Sequence, residues 1–349
     1  MRHNFAMETM QSTASYLCFA HARHWQVQNT AAGSFAMALW AVIVGGVIVA
    51  RILWLLLRGS ERLGFRGTKP PTGSVVGTVA SLYTHPVKSG RAVEVAQCQL
   101  DELGLCGDRR LVVVRVPTKG SSSAPLVKAL NQKRRPQLAT IAATPIGPQQ
   151  PPSQQHGGLP QSVRLVSAAQ GATAAPKPLK VDVWAALAEC ASGKRPRVPV
   201  KVVTSNLEAV DLGDEAGEWL DAALAAAALE HNGRRAAVPR GHRLYAVLPD
   251  CARFSRDVPL VGMHAAPGHR VAGADVAPLL VVSSESLASL SSAMPSGTAQ
   301  VQSFRPNVVV DGMPAWLEDE VETLRVGDVE LRRVGPCPRC TLTTVDQVA

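Results

Sequence analysis

The chain has 349 residues, 46% of them hydrophobic, so it is long enough for two ordinary domains with a substantial core and is neither a disordered chain nor a peptide scaffold. Aromatic residues make up only 4%, while 28 glycines and 25 prolines indicate many turns and argue against a helical bundle. The formal net charge of +9 is compatible with nucleic acid, an acidic membrane surface or an anionic cofactor, and does not choose among them.

A long apolar segment lies near the amino end. Residues 35–57 are apolar apart from Arg51, and at about 1.5 Å per residue they are long enough to cross a hydrocarbon core of roughly 30 Å. This predicts a transmembrane signal-anchor helix rather than a cleaved signal peptide, with a buried helix of a soluble core as the alternative. Residues 1–34 show the composition of a targeting leader only weakly and are equally compatible with an unstructured tail.

Basic residues flank the apolar segment unequally. Arg2 and Arg23 precede it, whereas four basic residues follow it closely, namely Arg58, Arg62, Arg66 and Lys69. The positive-inside rule therefore predicts that the large C-terminal part faces the cytosol. We interpret residues 58–73 as a basic linker.

From residue 74 onward, the pattern predicts a mainly β fold with some helices, of the α+β class. Segments rich in β-branched residues predict strands at 74–87, 108–116, 180–184, 198–205, 242–248 and 277–283, with a hairpin at 324–334. Two segments predict helices, at 213–231 and at 284–294 after Ser283 or Ser284 as N-cap. The Pro- and Gln-rich stretch 145–162 predicts a surface insertion that does not pack.

Seven cysteines are spread along the chain without the dense spacing of a secreted disulfide scaffold, so we expect reduced thiols and a reducing compartment. Two of them, Cys337 and Cys340, form a C-P-R-C pair directly after the last predicted strand. This spacing is compatible with half of a zinc site, a thiol redox pair, one reactive thiol, or two small apolar side chains. Zinc lacks a second ligand pair, and a thioredoxin-like site lacks the helix that would follow. Arg339, between the cysteines, favours the thiolate form that ligates metals.

Cationic and small polar residues recur at the ends of predicted strands. They are Lys88 and Ser89 in HPVKSG, Arg109 in GDRR, and Arg305 with Asn307 in FRPN. Such groups suit a phosphate or another oxyanion, although a solvated surface is the ordinary alternative for each charge. Nucleic acid is not expected as a partner, since the sequence contains no RRM-type aromatic strand, helix-turn-helix or zinc finger.

In this order, the motifs resemble those of MOSC-domain proteins. PVKSG, followed after sixteen residues by GDRRLVVV, resembles the N-terminal β-barrel region of that family, and SFRPNVVVDG with LRVGDVELRRVGPCPRCTLTTVD resembles the MOSC domain itself. The resemblance implies an N-terminal MOSC β-barrel region at 74–252 with insertions and a MOSC-type β-barrel core at 253–349. Because the family's domain continues well beyond TTVD, we expect this barrel to be incomplete at its C-terminal end.

An anchor followed directly by these two regions is similar to the amidoxime-reducing branch of the family. Molybdenum-cofactor sulfurases carry a long pyridoxal-phosphate domain instead, for which 73 residues are too few. The resemblance implies a molybdenum pyranopterin cofactor (Mo-molybdopterin), with Cys340 as the catalytic metal ligand. It places further cofactor-binding residues around the pterin and its phosphate, namely Lys88, Ser89, Arg109, Asp275, Ser283, Arg305, Asn307 and Arg339.

The same resemblance implies reduction of small N-hydroxylated compounds, with nitrite as a further compatible substrate. Electrons would come from cytochrome b5 and its NADH-dependent reductase, and the anchor would lie in the mitochondrial outer membrane, with endoplasmic reticulum or peroxisome as alternatives. A non-catalytic cofactor carrier at the membrane is the second hypothesis, and a general thiol oxidoreductase using Cys337 and Cys340 is the third.

Overall fold

The structure is a computed structural model that describes residues 67–116, 126–147, 158–169, 174–203, 205–228, 230–231, 234–235, 238–254, 269–295, 297–337, 339–345 and 347. The predicted leader at 1–34, the predicted anchor at 35–57 and most of the predicted linker lie outside these residues. Within the described ranges, no helix combines the length and the apolar character needed to cross a membrane.

Strands dominate the described chain, which confirms the mainly β prediction. In chain order they are Thr78–Thr84 (β1), Val93–Val95 (β2), Leu100–Asp101 (β3), Gly104–Leu105 (β4), Leu111–Arg115 (β5), Val127–Lys128 (β6), Ile141–Ile146 (β7), Ser162–Ser167 (β8), Leu179–Asp182 (β9), Val198–Val202 (β10), Ser205–Asp211 (β11), Glu230–His231 (β12), Arg234–Arg235 (β13), His242–Val247 (β14), Arg253–Phe254 (β15), Arg270–Val271 (β16), Val281–Ser283 (β17), Val308–Asp311 (β18), Thr323–Val326 (β19) and Val329–Arg332 (β20).

Helices in the described chain are few and mostly short. The α-helices are Val183–Ala191 (α1), Asp214–Ala226 (α2), Ser284–Ala293 (α3) and Val301–Phe304 (α4). Short 3-10 helices span Pro136–Thr140, Pro249–Cys251, Leu317–Asp319 and Thr341–Thr344.

The largest sheet has the strand order β5-β14-β11-β10-β6, with every pair antiparallel except β10 and β6. Alternate side chains of its β5 strand, Leu-Val-Val-Val-Arg, point to opposite faces of the sheet, and both faces are buried. Leu111 and Val113 enter one apolar cluster, Val112 and Val114 enter another, and all four are 0% exposed. The sheet therefore lies between two packed cores.

A four-stranded sheet, β17-β18-β1-β2, brings together strands from opposite ends of the described chain. β1 pairs antiparallel with β18, and β18 pairs in parallel with β17. The two predicted domains at 74–252 and 253–349 therefore share one sheet. This pairing places the C-terminal end of β1 beside the N-terminal end of β18, so the residues that follow β1 lie near those that precede β18.

Several predicted boundaries are corrected by packing. The strand predicted at 180–184 ends at Asp182, because that side chain caps α1 by accepting a hydrogen bond from Ala185 N at 2.9 Å. The helix predicted at 213–231 ends at Ala226, and residues 230–231 belong to β12. The insertion predicted at 145–162 does pack at its described end, where Leu159 is buried in the main core.

Candidate functional site

A cavity of about 630 Å³ lies where the loop after β1 faces the segment around Cys340. Of the residues predicted from the sequence, those in its wall are Lys88, Ser89, Arg109, Asp275, Arg305, Arg339 and Cys340. Two predicted residues, Ser283 and Asn307, do not line it. The fold thus brings a cationic group and a cysteine into one space, although they are separated by more than half of the chain.

The loop after β1 forms one end of the cavity. Lys88 is buried, and its Nζ donates to the carbonyl of Gly273 at 2.8 Å and forms an ion pair with Asp275. Burial lowers the pKa of this ammonium, and the Asp275 carboxylate opposes the shift. Gly90 must be glycine, because a Cβ there would lie 2.8 Å from Val87 Cβ and 2.9 Å from Ile141 O.

Arg109 lies beside this loop and is held by three acceptors. Its Nη1 donates to Asp108 Oδ2 at 2.7 Å and to Asn307 Oδ1 at 3.2 Å, and its Nη2 donates to Arg305 O at 3.2 Å. Asn307 is fully buried and also donates from Nδ2 to Tyr83 O at 3.2 Å. Asn307 therefore positions Arg109, while Arg109 itself faces the cavity.

Arg305 is the most deeply placed cation of the site. It is 7% exposed, its Nη1 donates to Gly90 O, and its Nη2 is buried without a hydrogen-bond partner among the described residues. Burial, followed by repulsion from Arg109, lowers the pKa of this guanidinium. A buried guanidinium donor with no acceptor is unfavourable, and an anion in the cavity would relieve it.

Backbone strain is concentrated at this site. Among the described non-glycine residues, positive φ values occur at Ser89 (61°), Arg109 (50°), Val203 (56°), Arg305 (55°) and Trp316 (69°), and the first, second and fourth of these line the cavity. Left-handed backbone costs an L-residue roughly 1–2 kcal/mol, so it persists only where the surroundings enforce it. Such strain is typical of ligand-binding sites.

The two cysteines of the C-P-R-C motif line the same cavity. Cys337 and Cys340 are exposed and neither forms a disulfide. Arg339 Nη1 donates to Phe304 O at 3.1 Å, and its guanidinium lies over the Phe304 ring at 5.3 Å, which anchors the segment to α4. The described residues contain no group of three His, Cys, Asp or Glu side chains able to hold a metal ion.

Ser283 has a structural role as the N-cap of α3. Its Oγ accepts hydrogen bonds from Glu285 N at 3.1 Å and Ser286 N at 3.3 Å, and donates to Met313 O at 2.7 Å. The N-cap prediction is thereby confirmed for Ser283. All of these bonds tie down the helix terminus rather than address the cavity.

His85 lies behind the cavity, and its role in holding the site was missed by the sequence reasoning. It is fully buried, its Nε2 donates to Pro306 O at 3.0 Å, and its Nδ1 has no partner among the described residues. Its backbone N donates to Asp108 Oδ1 at 2.7 Å, and its carbonyl accepts from Arg109 N at 2.9 Å. His85 therefore connects the segments that carry Arg109 and Arg305. Its position directly before PVKSG was the available signal.

The pKa of His85 is lowered by burial and then by the positive charges of Arg305 and Arg109, so the folded protein holds this imidazole neutral. The unfolded chain, whose histidine titrates near 6.5, binds a proton that the folded state refuses. His85 should thus lower the free energy of unfolding as pH falls below about 6.5, by at most about 1.4 kcal/mol per pH unit.

Thermal unfolding from pH 8 to pH 5 tests this expectation against His85→Gln, which keeps an amide donor but does not titrate. The variant should lose less stability on acidification than the wild type. Equal pH dependence of the two proteins would contradict a neutral, buried His85.

Comparison with known proteins matches two regions of the chain to family models. Residues 76–227 match the MOSC N-terminal beta barrel domain, and residues 268–348 match the MOSC domain. Mitochondrial amidoxime-reducing component 1 of Homo sapiens is 28% identical over 277 residues, covering 78% of this chain and 67% of that protein. Mitochondrial amidoxime reducing component 2 of Rattus norvegicus is 25% identical over 328 residues, covering 92% of this chain and 78% of that protein.

A shorter region shows higher similarity. Mitochondrial amidoxime reducing component 2 of Homo sapiens is 44% identical over 77 residues, which are 22% of this chain and 23% of that protein. Among solved structures, a Bordetella bronchiseptica protein covers 46% of this chain and 94% of its own, at 15% identity and a TM-score of 0.24. That structural similarity is too low to inform the fold.

Proposed function

Because the chain belongs to the MOSC-domain proteins, we propose that it is a membrane-anchored, molybdenum-cofactor-dependent reductase of N-hydroxylated compounds. Relatives named amidoxime-reducing components support this reaction class, and the chain spans about two thirds of the length of the human one. The observation that carries the proposal is the cavity, which joins a buried cationic end to the Cys340 thiol.

The charges of the cavity fit the phosphate of a pyranopterin. The lining carries charges of both signs, and its six Lys and Arg side chains include Lys88, Arg109, Arg305 and Arg339. The carboxylates paired with them are Asp275 on Lys88 and Asp108 on Arg109. Among the described residues Arg305 has no carboxylate partner and keeps one buried guanidinium nitrogen without an acceptor, and such a donor suits an oxygen of an anion such as a phosphate monoester.

The cysteine end fits a metal that already has sulfur ligands. Cys340 would supply one thiolate to a metal that is also held by the sulfurs of the pterin, a soft donor set that suits molybdenum. When bound, the cofactor supplies a metal that changes oxidation state by two electrons and accepts an oxygen atom. The chain's own residues bind and orient it: Lys88, Arg109 and Arg305 hold the anion, and Cys340 holds the metal.

The overall reaction is R=N–OH + 2 electrons + 2 protons → R=NH + H2O. From the resemblance to the family, we infer cytochrome b5 and its NADH-dependent reductase as the electron source. The net charge of +9 is compatible with the attraction of an acidic redox partner. The relatives are named mitochondrial components, which supports a mitochondrial location. We place the anchor in the outer membrane with the C-terminal part facing the cytosol.

The full chain purified from cells that make the cofactor tests the function. Molybdenum and pterin contents near one per chain, with amidoxime reduction driven by reduced cytochrome b5, would support the reductase. Pterin binding without turnover would instead favour a cofactor carrier. Turnover that is independent of molybdenum and forms a Cys337–Cys340 disulfide would favour a thiol oxidoreductase, and absence of metal and pterin would overturn the proposal.

Arg305→Gly should separate binding from stability. Glycine relieves the left-handed backbone and removes a buried, partly unpaired guanidinium, so the free energy of unfolding of the cofactor-free protein should stay within about 1 kcal/mol of wild type. Loss of a charge-assisted hydrogen bond worth about 1.5–3 kcal/mol should weaken cofactor binding about 10- to 100-fold.

Chemical denaturation and pterin content measure the two effects. Arg305→Lys is the matched control, since it keeps the charge but not the planar fork, and it should bind with intermediate strength. Unchanged pterin content in Arg305→Gly would show that Arg305 does not contact the anion.

A further inference from the structure

A buried pair of amides binds the far end of the segment that follows Cys340. Gln132 is 0% exposed and Gln347 is 3% exposed. Gln132 Nε2 donates to Gln347 Oε1 at 3.0 Å, and Gln347 Nε2 donates to Gln132 Oε1 at 2.9 Å. The two side chains therefore form a reciprocal pair that joins positions 215 residues apart.

Both Nε2 protons of each glutamine in the pair are donated to a hydrogen-bond acceptor. The second Nε2 proton of Gln132 goes to Ser89 O at 2.9 Å, and that of Gln347 goes to Val345 O at 3.1 Å. Arg91 Nη1 adds a bond to Gln347 O at 3.2 Å. Because a buried amide left without partners is unfavourable, these bonds favour the observed placement of residue 347.

Local hydrogen bonds transmit this placement toward Cys340. Cys340 O accepts from Thr343 N at 3.2 Å and from Thr343 Oγ1 at 3.1 Å, and Leu342 O accepts from Val345 N at 3.1 Å. The 3-10 helix Thr341–Thr344 thus begins directly at Cys340. Hydrogen bonds between residues 340 and 343, 342 and 345, and 345 and 347 therefore overlap along the chain from Cys340 to Gln347.

Ser89 O, which accepts from Gln132 Nε2, belongs to the loop that carries Lys88 at the cavity. Ser89 lies in left-handed backbone between Lys88, which contacts Asp275, and Gly90, whose carbonyl accepts from Arg305. The bond from Gln132 to Ser89 O therefore reaches the same loop that presents the cations. Together with the Arg91 bond to Gln347 O, the amide pair bridges that loop and the Cys340 segment.

We propose that Gln132 and Gln347 are positioning residues that hold the segment 340–347, and with it the Cys340 thiol, at a set distance from the anion-binding loop Lys88–Arg91. The inference deepens the proposed function, since it rests on Cys340 being the metal ligand. It makes cofactor retention depend on two amides that do not line the cavity.

The test compares Gln132→Leu, Gln347→Leu and the double variant with Trp219→Phe as control. Trp219 lies in α2, its Nε1 donates to Lys177 O at 2.7 Å, and it does not line the cavity, so its variant removes one comparable buried bond elsewhere. The first measurement is hydrogen exchange of residues 341–347 in cofactor-free full-length protein. The second is the rate at which the loaded protein loses molybdenum.

Each single leucine variant should raise hydrogen exchange of residues 341–347 about 5- to 100-fold, as expected for about 1–3 kcal/mol, and should lose molybdenum faster by a similar factor. In the double variant both rates should rise by less than the product of the two single-variant factors, because an apolar pair leaves no side-chain amide without its partner. Trp219→Phe should change neither the hydrogen exchange of residues 341–347 nor the rate of molybdenum loss.

The outcomes separate this inference from the proposed function. Unchanged exchange at 341–347 in the leucine variants overturns it, as does faster exchange with wild-type retention of molybdenum. If the wild type binds no molybdenum, the proposed function fails, while faster exchange still supports the amide pair as the device that positions the Cys340 segment.

Discussion

Cys340→Ser is expected to abolish reduction of N-hydroxylated substrates and to deplete the bound molybdenum. A serine hydroxyl stays protonated near neutral pH and is a harder ligand than a thiolate, so it is a poor replacement at a metal bound by sulfur. The loss of turnover should exceed the roughly 10- to 100-fold effects that follow from removing groups behind a metal ligand. Metal analysis and single-turnover reduction of an amidoxime measure the two effects.

Cys337→Ser is the matched control, because Cys337 lines the same cavity three positions earlier. It should retain most of its molybdenum and turnover, since Cys340 rather than Cys337 is the proposed ligand. The reverse result, with the metal lost from Cys337→Ser and kept in Cys340→Ser, would assign the ligand to the other thiol. If both variants kept the metal content and the activity of the wild type, neither thiol would be the metal ligand.

Asp101→Ala is expected to be the most destabilising substitution considered for this fold. Arg110 is 1% exposed, and its Nη2 donates to Asp101 Oδ1 at 2.7 Å and Oδ2 at 2.8 Å. Arg110 Nε and Nη1 have no partner among the described residues, so the carboxylate is the main compensation for this buried charge. Removing one partner of a buried ion pair costs about 3–5 kcal/mol, which corresponds to a fall in melting temperature of about 10 °C.

Rescue distinguishes a buried charge from a lost contact. Combining Asp101→Leu with Arg110→Met removes both charges and fills the space with apolar atoms, which is often neutral or stabilising. The double variant should therefore melt above Asp101→Ala in calorimetry. Equal melting temperatures of the two would show that the cost comes from packing, for example beside Gly158, where a Cβ would lie 2.1 Å from Asp101 Oδ2.

Local patterns in the sequence predicted the elements whose cause is local. The strand predicted at 108–116 and the hairpin predicted at 324–334 follow from residue type and turn chemistry, and the structure has β5 and the paired strands β19 and β20 at these places. The cap at Ser283 likewise depends on residues two and three positions away. By contrast, Val183 and Trp184 favour strand by type but begin α1, because Asp182 caps it and its apolar face packs in the core.

The sequence predicted the residues of the candidate cofactor site only in part. The motifs around Lys88, Arg109, Arg305 and Cys340 indicated an oxyanion and a thiolate, and the structure places all four in one cavity. The prediction did not separate residues that face the cavity from those behind it. Asn307 positions Arg109 from a fully buried place, a distinction that depends on side-chain direction in the folded protein.

The composition, the strand pattern and the order of the motifs by themselves determined the mainly β class, the family resemblance and the identity of the cations and the thiol. Only the tertiary structure decided how β1 pairs with β18, that His85 bonds Pro306, and that Gln132 bonds Gln347. The physical reason is that a hydrogen bond between residues more than 200 positions apart leaves no local pattern. It forms only after packing has brought both partners out of water.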